Sequence, residues 1–213
     1  MILLNKLHAG RRPVNLLMID NYDSFTYNLV HYIENNPYKA GIKVVTPDQL
    51  NDKLIDDFNI IGLIISPGPS HPEDRPEVLQ FIEKYYRELP VLGICLGHQM
   101  LWHMFGGEVS RGERPVHGHV SDVYHNKEGL YKDLPSPLAG CRYHSLACSG
   151  ELSDFNITGR TEDGINMAIQ HKRYPIFGVQ YHPEAVLSEH GRAQLNNFIR
   201  IAVEESHEST YKI

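Results

Sequence analysis

Between Pro13 and Gly107 the chain alternates short, unbroken apolar runs with stretches of helical spacing, and this alternation constrains the fold more than any other feature of the sequence. Val14-Asn15-Leu16-Leu17-Met18-Ile19, Ile60-Ile61-Gly62-Leu63-Ile64-Ile65 and Val91-Leu92-Gly93-Ile94 are the apolar runs, with Ile42-Lys43-Val44-Val45 as a further short strand. Helical spacing follows them at Tyr27, Leu29, Val30, Tyr32 and Ile33, at 78–86, and at Met100, Leu101, Met104 and Phe105. Ser24 stands where an N-cap would precede the first of these helices. Strands apolar on both faces and connected through helices run parallel inside a sandwich of helices. The expected fold is therefore α/β, an open, mostly parallel twisted sheet flanked by helices. From about His119 the pattern shifts to short β-like runs at 142–147, 155–161, 166–170 and 176–181, which predicts a small mixed or antiparallel sheet region in the C-terminal half. A closing helix is expected over 189–205.

With 213 residues the chain suits one substantial core rather than two full domains. The organisation expected is a short basic N-terminal extension at 1–12, one domain at 13–205 and a polar tail at 206–213. A net charge of -6 opposes a broad nucleic-acid footprint, which needs a basic face. No apolar run reaches the roughly 20 residues of a membrane helix, and Met1-Ile2-Leu3-Leu4 breaks at Asn5-Lys6 before a signal-peptide core develops. A cytoplasmic protein with no membrane and no nucleic-acid partner is expected. The three cysteines, Cys95, Cys141 and Cys148, are odd in number and lack CxxC spacing, which argues against a disulfide framework or structural zinc. Thirteen histidines raise the question of a metal, with His117 and His119 on one strand face. No ligand-spaced motif such as HExxH accompanies them, so neither metal nor cofactor is expected.

Gly93-Ile94-Cys95-Leu96-Gly97 has the pattern glycine, any residue, nucleophile, any residue, glycine, with a strand before it and a helix after it. A sharp strand-to-helix turn presses backbone against backbone, which is why small residues flank it. At a helix N-terminus the unpaired N–H groups and the positive dipole end favour a thiolate, and the same N–H groups can receive an oxyanion. The motif alone leaves open a small buried thiol in a tight turn. A reactive thiol needs a base that is itself held by a third group, and Tyr181-His182-Pro183-Glu184 supplies one. On a continuing strand, positions 182 and 184 would share a face, so that one carboxylate holds one imidazole. Ser66-Pro67-Gly68-Pro69-Ser70 adds a rigid turn at the carboxyl end of an apolar strand, where open α/β sheets place their ligands.

Five blocks, in order, resemble the class I (triad) glutamine amidotransferases: DNYDSFTYN at 20–28, SPGPS at 66–70, GICLGHQ at 93–99, RYHSL at 142–146 and GVQYHPE at 178–184. The likeness covers about residues 14–203. The first block is similar to the small glutaminase subunits of anthranilate synthase and aminodeoxychorismate synthase, the component II proteins of tryptophan and folate biosynthesis.

The resemblance implies an enzyme in which Cys95 attacks the side-chain amide of L-glutamine while His182, oriented by Glu184, serves as base and then acid. It further implies an oxyanion site at Gly68 and Leu96 beside Pro69 and Ser70, and glutamine-holding positions at Gln99, Ser145 and Leu146. The ammonia would pass to a separate chorismate-binding synthase subunit, with Asn21, Tyr22, Ser24, His117 and Gly118 as contacts to it. This chain departs from the family at Ser70, often glycine, at His119, often lysine, and at Ala185, often serine. Alternatives are a glutaminase subunit of another synthase, a non-catalytic partner module of the same fold, and a cysteine peptidase. The last gives no reason for RYHSL or Gln99. The acceptor product, whether anthranilate, 4-amino-4-deoxychorismate or both, is set by the partner.

Overall fold

The computed structural model describes residues 13–210, so the expected extension at 1–12 lies outside the described residues. The first half follows the β/α alternation: β1 Asn15–Ile19, α1 Thr26–Glu34, β2 Gly41–Val45, α2 Lys53–Asp57, β3 Ile60–Ile65, α3 Pro76–Tyr85, β4 Val91–Ile94 and α4 Leu96–Met104. The second half is β5 Glu108–His125, β6 Leu138–Ser149, β7 Phe155–Arg160, β8 Asn166–His171, β9 Ile176–Val179 and α5 Gly191–Thr210. Among the described residues the strands form one sheet in the order β2-β1-β3-β4-β9-β8-β7-β5-β6. From β2 to β9 every pairing is parallel, and from β9 to β6 every pairing is antiparallel. The last strand in sequence thus lies between the two halves and belongs to both.

The apolar runs are buried on both faces because successive side chains point into different layers. Leu16 and Met18 join α1 and α5 through Leu29, Ile33, Leu195, Phe198 and Ile199, whereas Leu17 and Ile19 join α3 and α4 through Val78, Ile82, Met100 and Leu101. In α3 the buried positions Val78, Phe81, Ile82 and Tyr85 follow the i, i+3, i+4, i+7 stripe, and Pro76 starts the helix where a missing N–H costs nothing. Fully burying a large apolar side chain is worth roughly 1.5–3 kcal/mol, so Leu195, Phe198 and Ile199 alone fix α5 against the sheet. Among the described residues no helix is long and apolar enough to cross a membrane.

Four details differ from the sequence expectation. Ser24 does not cap α1; the turn before that helix is held by Asp20 and Asp23, whose carboxylates accept from Asp23 N, Thr26 Oγ1 and Phe25 N at 2.7–3.1 Å. The antiparallel half begins at Glu108 rather than near His119. Gly112, Pro115 and Gly118 interrupt the alternation of β5, and the structure absorbs them as register shifts between Arg111 and Val116 and between His117 and His119. The run at 176–181 ends as a strand at Val179 and pairs parallel to β4 on one side. Finally, α5 runs through residues 206–210 instead of giving way to a tail at 206, because no glycine or proline intervenes and Ser206 Oγ donates back to Val203 O.

Candidate active site

Cys95 sits at the tip between β4 and α4 with φ 52° and ψ -100°, a left-handed conformation in which a cysteine is strained. What holds it there is lack of space. A Cβ on Gly97 would lie 2.4 Å from Ile65 O of β3, and one on Gly93 would lie 2.4 Å from the Gly97 carbonyl. Cys95 N donates to Val179 O at 2.8 Å, which ties the elbow to the last residue of β9. The thiol is 6% exposed at the head of α4, where the helix's first N–H groups face it.

His182 and Glu184 come together by a turn rather than along a strand. The Ala185 N–H donates to His182 O at 3.2 Å across Pro183 and Glu184, with Pro183 in the position that favours proline, and His182 N donates to Cys141 O at 2.9 Å. His182 Nδ1 lies 2.7 Å from Glu184 Oε1, and both side chains are almost fully buried. With Nδ1 engaged, Nε2 carries no hydrogen bond of standard geometry. Burial works against a charged ring here, but the Cys95 thiol and the Glu184 carboxylate overcome it and raise His182 from 6.5 to about 10. Phe25 and Tyr143 fix the ring from its edges, with centroids 5.4 and 5.2 Å away.

The SPGPS turn stands across from the elbow. Gly68 approaches so closely that a Cβ would meet Asn21 Cβ at 2.6 Å and Leu96 Cδ2 at 3.0 Å. Asn21 clamps this turn: its N–H donates to Ser66 Oγ at 2.9 Å and its Nδ2 to Ser66 O at 3.0 Å. Gly68 therefore packs directly against the Leu96 side chain, at the start of α4. Pro69 and Ser70 are exposed at the rim, and Ser70 has φ 79° where glycine would be unstrained.

Gln99, on the first turn of α4, is buried and donates through Nε2 to Leu146 O at 3.3 Å and to Gln180 Oε1 at 3.0 Å. Gln180 in turn directs Nε2 at Cys95 Sγ, 3.7 Å away. Leu146 O also accepts from His144 Nδ1 at 2.7 Å, while His144 Nε2 accepts from Arg142 Nε at 3.0 Å. Burial first, then the Arg142 charge, lowers His144 to about 4, so the ring is a neutral linker. Ser145 lies opposite the irregularity in β5, between Leu146, which pairs Arg111, and His144, which pairs Val116.

The structure thus links Cys95 through Gln180 to Gln99 and Leu146, sets His182 with Glu184 beside it, and brings Gly68 against Leu96. Of the residues expected at a partner face, Tyr22 and Ser24 are exposed, with Tyr22 Oη bound to Asp48 at 2.9 Å, and His117 is exposed against the edge of Tyr143. Gly118, in the strand beside it, is half-buried. Asn21 is the exception: it is fully buried, and its amide holds the SPGPS turn instead of facing outward. Sequence reasoning did not single out Phe25, Tyr143 or Gln180. The available signal for Gln180 was a polar side chain directly after an all-apolar strand; the two aromatics lay inside recognised blocks but carry no chemistry of their own. Among the described residues no three His, Cys, Asp or Glu side chains converge as metal ligands would.

Comparisons with known proteins give the chain's family and its likeness of fold. A family model described as Glutamine amidotransferase class-I matches residues 17–202. The chain is 44% identical over 192 residues to the anthranilate synthase component 2 of Cyanophora paradoxa, covering 86% of this chain and 97% of that one. It is 42% identical over 189 residues to the aminodeoxychorismate/anthranilate synthase component 2 of Bacillus subtilis, covering 86% and 95%. Among solved structures, a protein from Thermoplasma acidophilum described as one subunit of a GMP synthase superposes with a TM-score of 0.84 over 94% of this chain and 100% of that one, a likeness of fold at 23% identity.

Proposed function

The chain belongs to the class I glutamine amidotransferases, and from that premise we propose that it is a glutaminase subunit that releases ammonia from L-glutamine through Cys95 and delivers it to a chorismate-aminating synthase subunit. The observation that carries the chemistry is the buried His182, tied to Glu184 at 2.7 Å through Nδ1 and raised in pKa by Cys95 beside it. A cationic imidazole next to a thiol favours the thiolate.

In the proposed reaction Sγ attacks Cδ of glutamine, and the carbonyl oxygen becomes an oxyanion received by the Gly68 and Leu96 N–H groups. As that intermediate collapses, His182 Nε2 gives its proton to the departing nitrogen, which leaves as ammonia, and a thioester remains on Cys95. His182 then takes a proton from water, the hydroxide attacks the thioester, and glutamate departs as the thiol is restored. Gln99, Ser145 and Leu146 hold the amino-acid end of the substrate in this reading.

The partner half of the proposal rests on the names of the relatives, which are second components of synthases. It is supported by the surface next to the catalytic turn, where Val186 is 95% exposed and Leu187 is 56% exposed, an apolar pair of the kind that marks a docking site. The decisive assay mixes the chain with a chorismate-binding synthase subunit and follows glutamate release and aminated product. Cys95→Ala is expected to abolish both while still binding the partner. Glutaminase activity surviving in that variant would remove Cys95 from the mechanism, and a wild-type chain that binds the partner without releasing glutamate would be a non-catalytic module.

A further inference from the structure

We infer that Gln180 is a positioning residue for the nucleophile: a chain of hydrogen bonds that starts at Arg142 fixes its amide so that only the NH₂ end can face Cys95 Sγ. The orientation of an amide side chain is decided by its partners. Each partner here is decided by another. Arg142 has donors only, so His144 Nε2 must accept, and its proton sits on Nδ1, which donates to Leu146 O. A carbonyl has acceptors only, so Gln99 must turn its Nε2 toward Leu146 O. That same Nε2 lies 3.0 Å from Gln180, which must then present Oε1 to it. Nothing remains for the sulfur but Gln180 Nε2–H, at 3.7 Å. Reversing any one amide would set two donors or two acceptors against each other inside a region where Gln180 is fully buried and Gln99 nearly so.

A donor held against sulfur in a dry site stabilises the thiolate and limits where Sγ can turn. The other titratable groups around Cys95 are His182, with Glu184 behind it, and on β6 Cys148 and His144. None of them replaces this donor: His182 is the proton carrier, Cys148 is a buried thiol held un-ionised by its surroundings, and His144 is neutral and engaged at both nitrogens. The inference rests on the proposed role of Cys95, but its test does not need glutaminase activity.

The experiment follows alkylation of Cys95 by iodoacetamide against pH in the full chain, with mass spectrometry to separate it from Cys141 and Cys148. Gln180→Met keeps the length and removes the donor; Gln180→Glu keeps the acceptor for Gln99 and turns an acceptor toward sulfur. In both variants the midpoint of the rate profile is expected to move up by about one pH unit, equivalent to a tenfold slower reaction at pH 7, with the high-pH plateau unchanged. With the partner present, kcat at pH 7 is expected to fall about tenfold with KM within about twofold, and the deficit should shrink toward pH 9. An unchanged midpoint in a folded variant, or a loss confined to KM, overturns the inference. If Met at 180 prevents folding, the Glu variant decides alone. A shifted midpoint in a chain that never releases glutamate would leave the relay standing and remove the glutaminase reading.

Discussion

On the parallel side of the sheet the site is placed by steric exclusion, whereas on the antiparallel side it is placed by polar contacts. The elbow holds its strained cysteine because Gly93 and Gly97 leave no volume for any other path of the chain. Across the cleft, β6 has an irregular partner strand, and Arg142, His144 and Leu146 define their positions by donating and accepting in a fixed order. Steric placement is rigid and fails as a whole; polar placement is adjustable and fails by degrees. The difference suits the two tasks of the proposed reaction, in which attack needs one fixed geometry while substrate holding must admit and release a ligand.

The largest effect that would test this contrast is Gly97→Ala. Its methyl carbon meets the backbone of Ile65 at 2.4 Å, and neither strand nor helix can yield separately, so a loss of about 3 kcal/mol or more in unfolding free energy is expected together with loss of glutaminase activity. A variant that melts like the parent would show that the elbow is not sterically fixed. On the other side, Arg142→Met removes the donors to His144 and Ser121 while keeping much of the packing. A graded response is expected: about 1–3 kcal/mol of stability and a several-fold fall in kcat as well as a rise in KM for glutamine, with the fold retained. Collapse of the protein in denaturant titration would place β6 in the same all-or-none class as the elbow.

Proton linkage separates the halves further. His98 and His144 are depressed to about 3 and about 4 by burial, with Arg142 acting on His144 after that. Below pH 6.5 the unfolded chain binds protons that these native rings refuse, so their stabilisation is present above 6.5 and drains away as pH falls toward 4 and 3. His182 has the opposite sign. Raised to about 10, it holds a proton that the unfolded ring loses near 6.5, so its contribution is full below 6.5 and is lost as pH rises to 10. Melting temperature against pH should therefore decline on both sides of neutrality, and Cys95→Ala should alter the alkaline limb alone. A change in the acid limb would contradict the assignment. The smallest expected effect is at the rim. Ser70→Gly relieves a positive φ and loosens the unfolded chain, for a net gain of about 0.5 kcal/mol in chemical denaturation with little change in activity.

What the sequence discloses follows the same division. The parallel half is legible because its rules are local: apolar runs, helical spacing, and glycines around a nucleophile are each visible within a dozen residues. The antiparallel half was placed too late in the chain because Gly112, Pro115 and Gly118 obscure β5, whose pairing is decided by a partner some thirty residues downstream. Cys95, His182 and Glu184 could be named from their types, yet the turn that unites the last two reads equally well as a strand. Asn21 looked like surface and proved to be the clamp of the SPGPS turn, because its partner Ser66 lies 45 positions away. Gln180 escaped notice because its role depends on three other groups whose orientations only a folded chain defines.

The position of β9 has a consequence for the order in which this molecule comes to exist. Synthesis delivers Cys95 long before β9, and His182 and Glu184 emerge only after it. The final strand must slide between β4 and β8, so the two flanks of the sheet cannot join until β9 has been made. A chain that stops short of β9 therefore carries its thiol without His182 and Glu184, and in the proposed reaction the ability to open an amide bond arrives with the last strand to enter the sheet. Reactivity in this protein doubles as a certificate of completed folding.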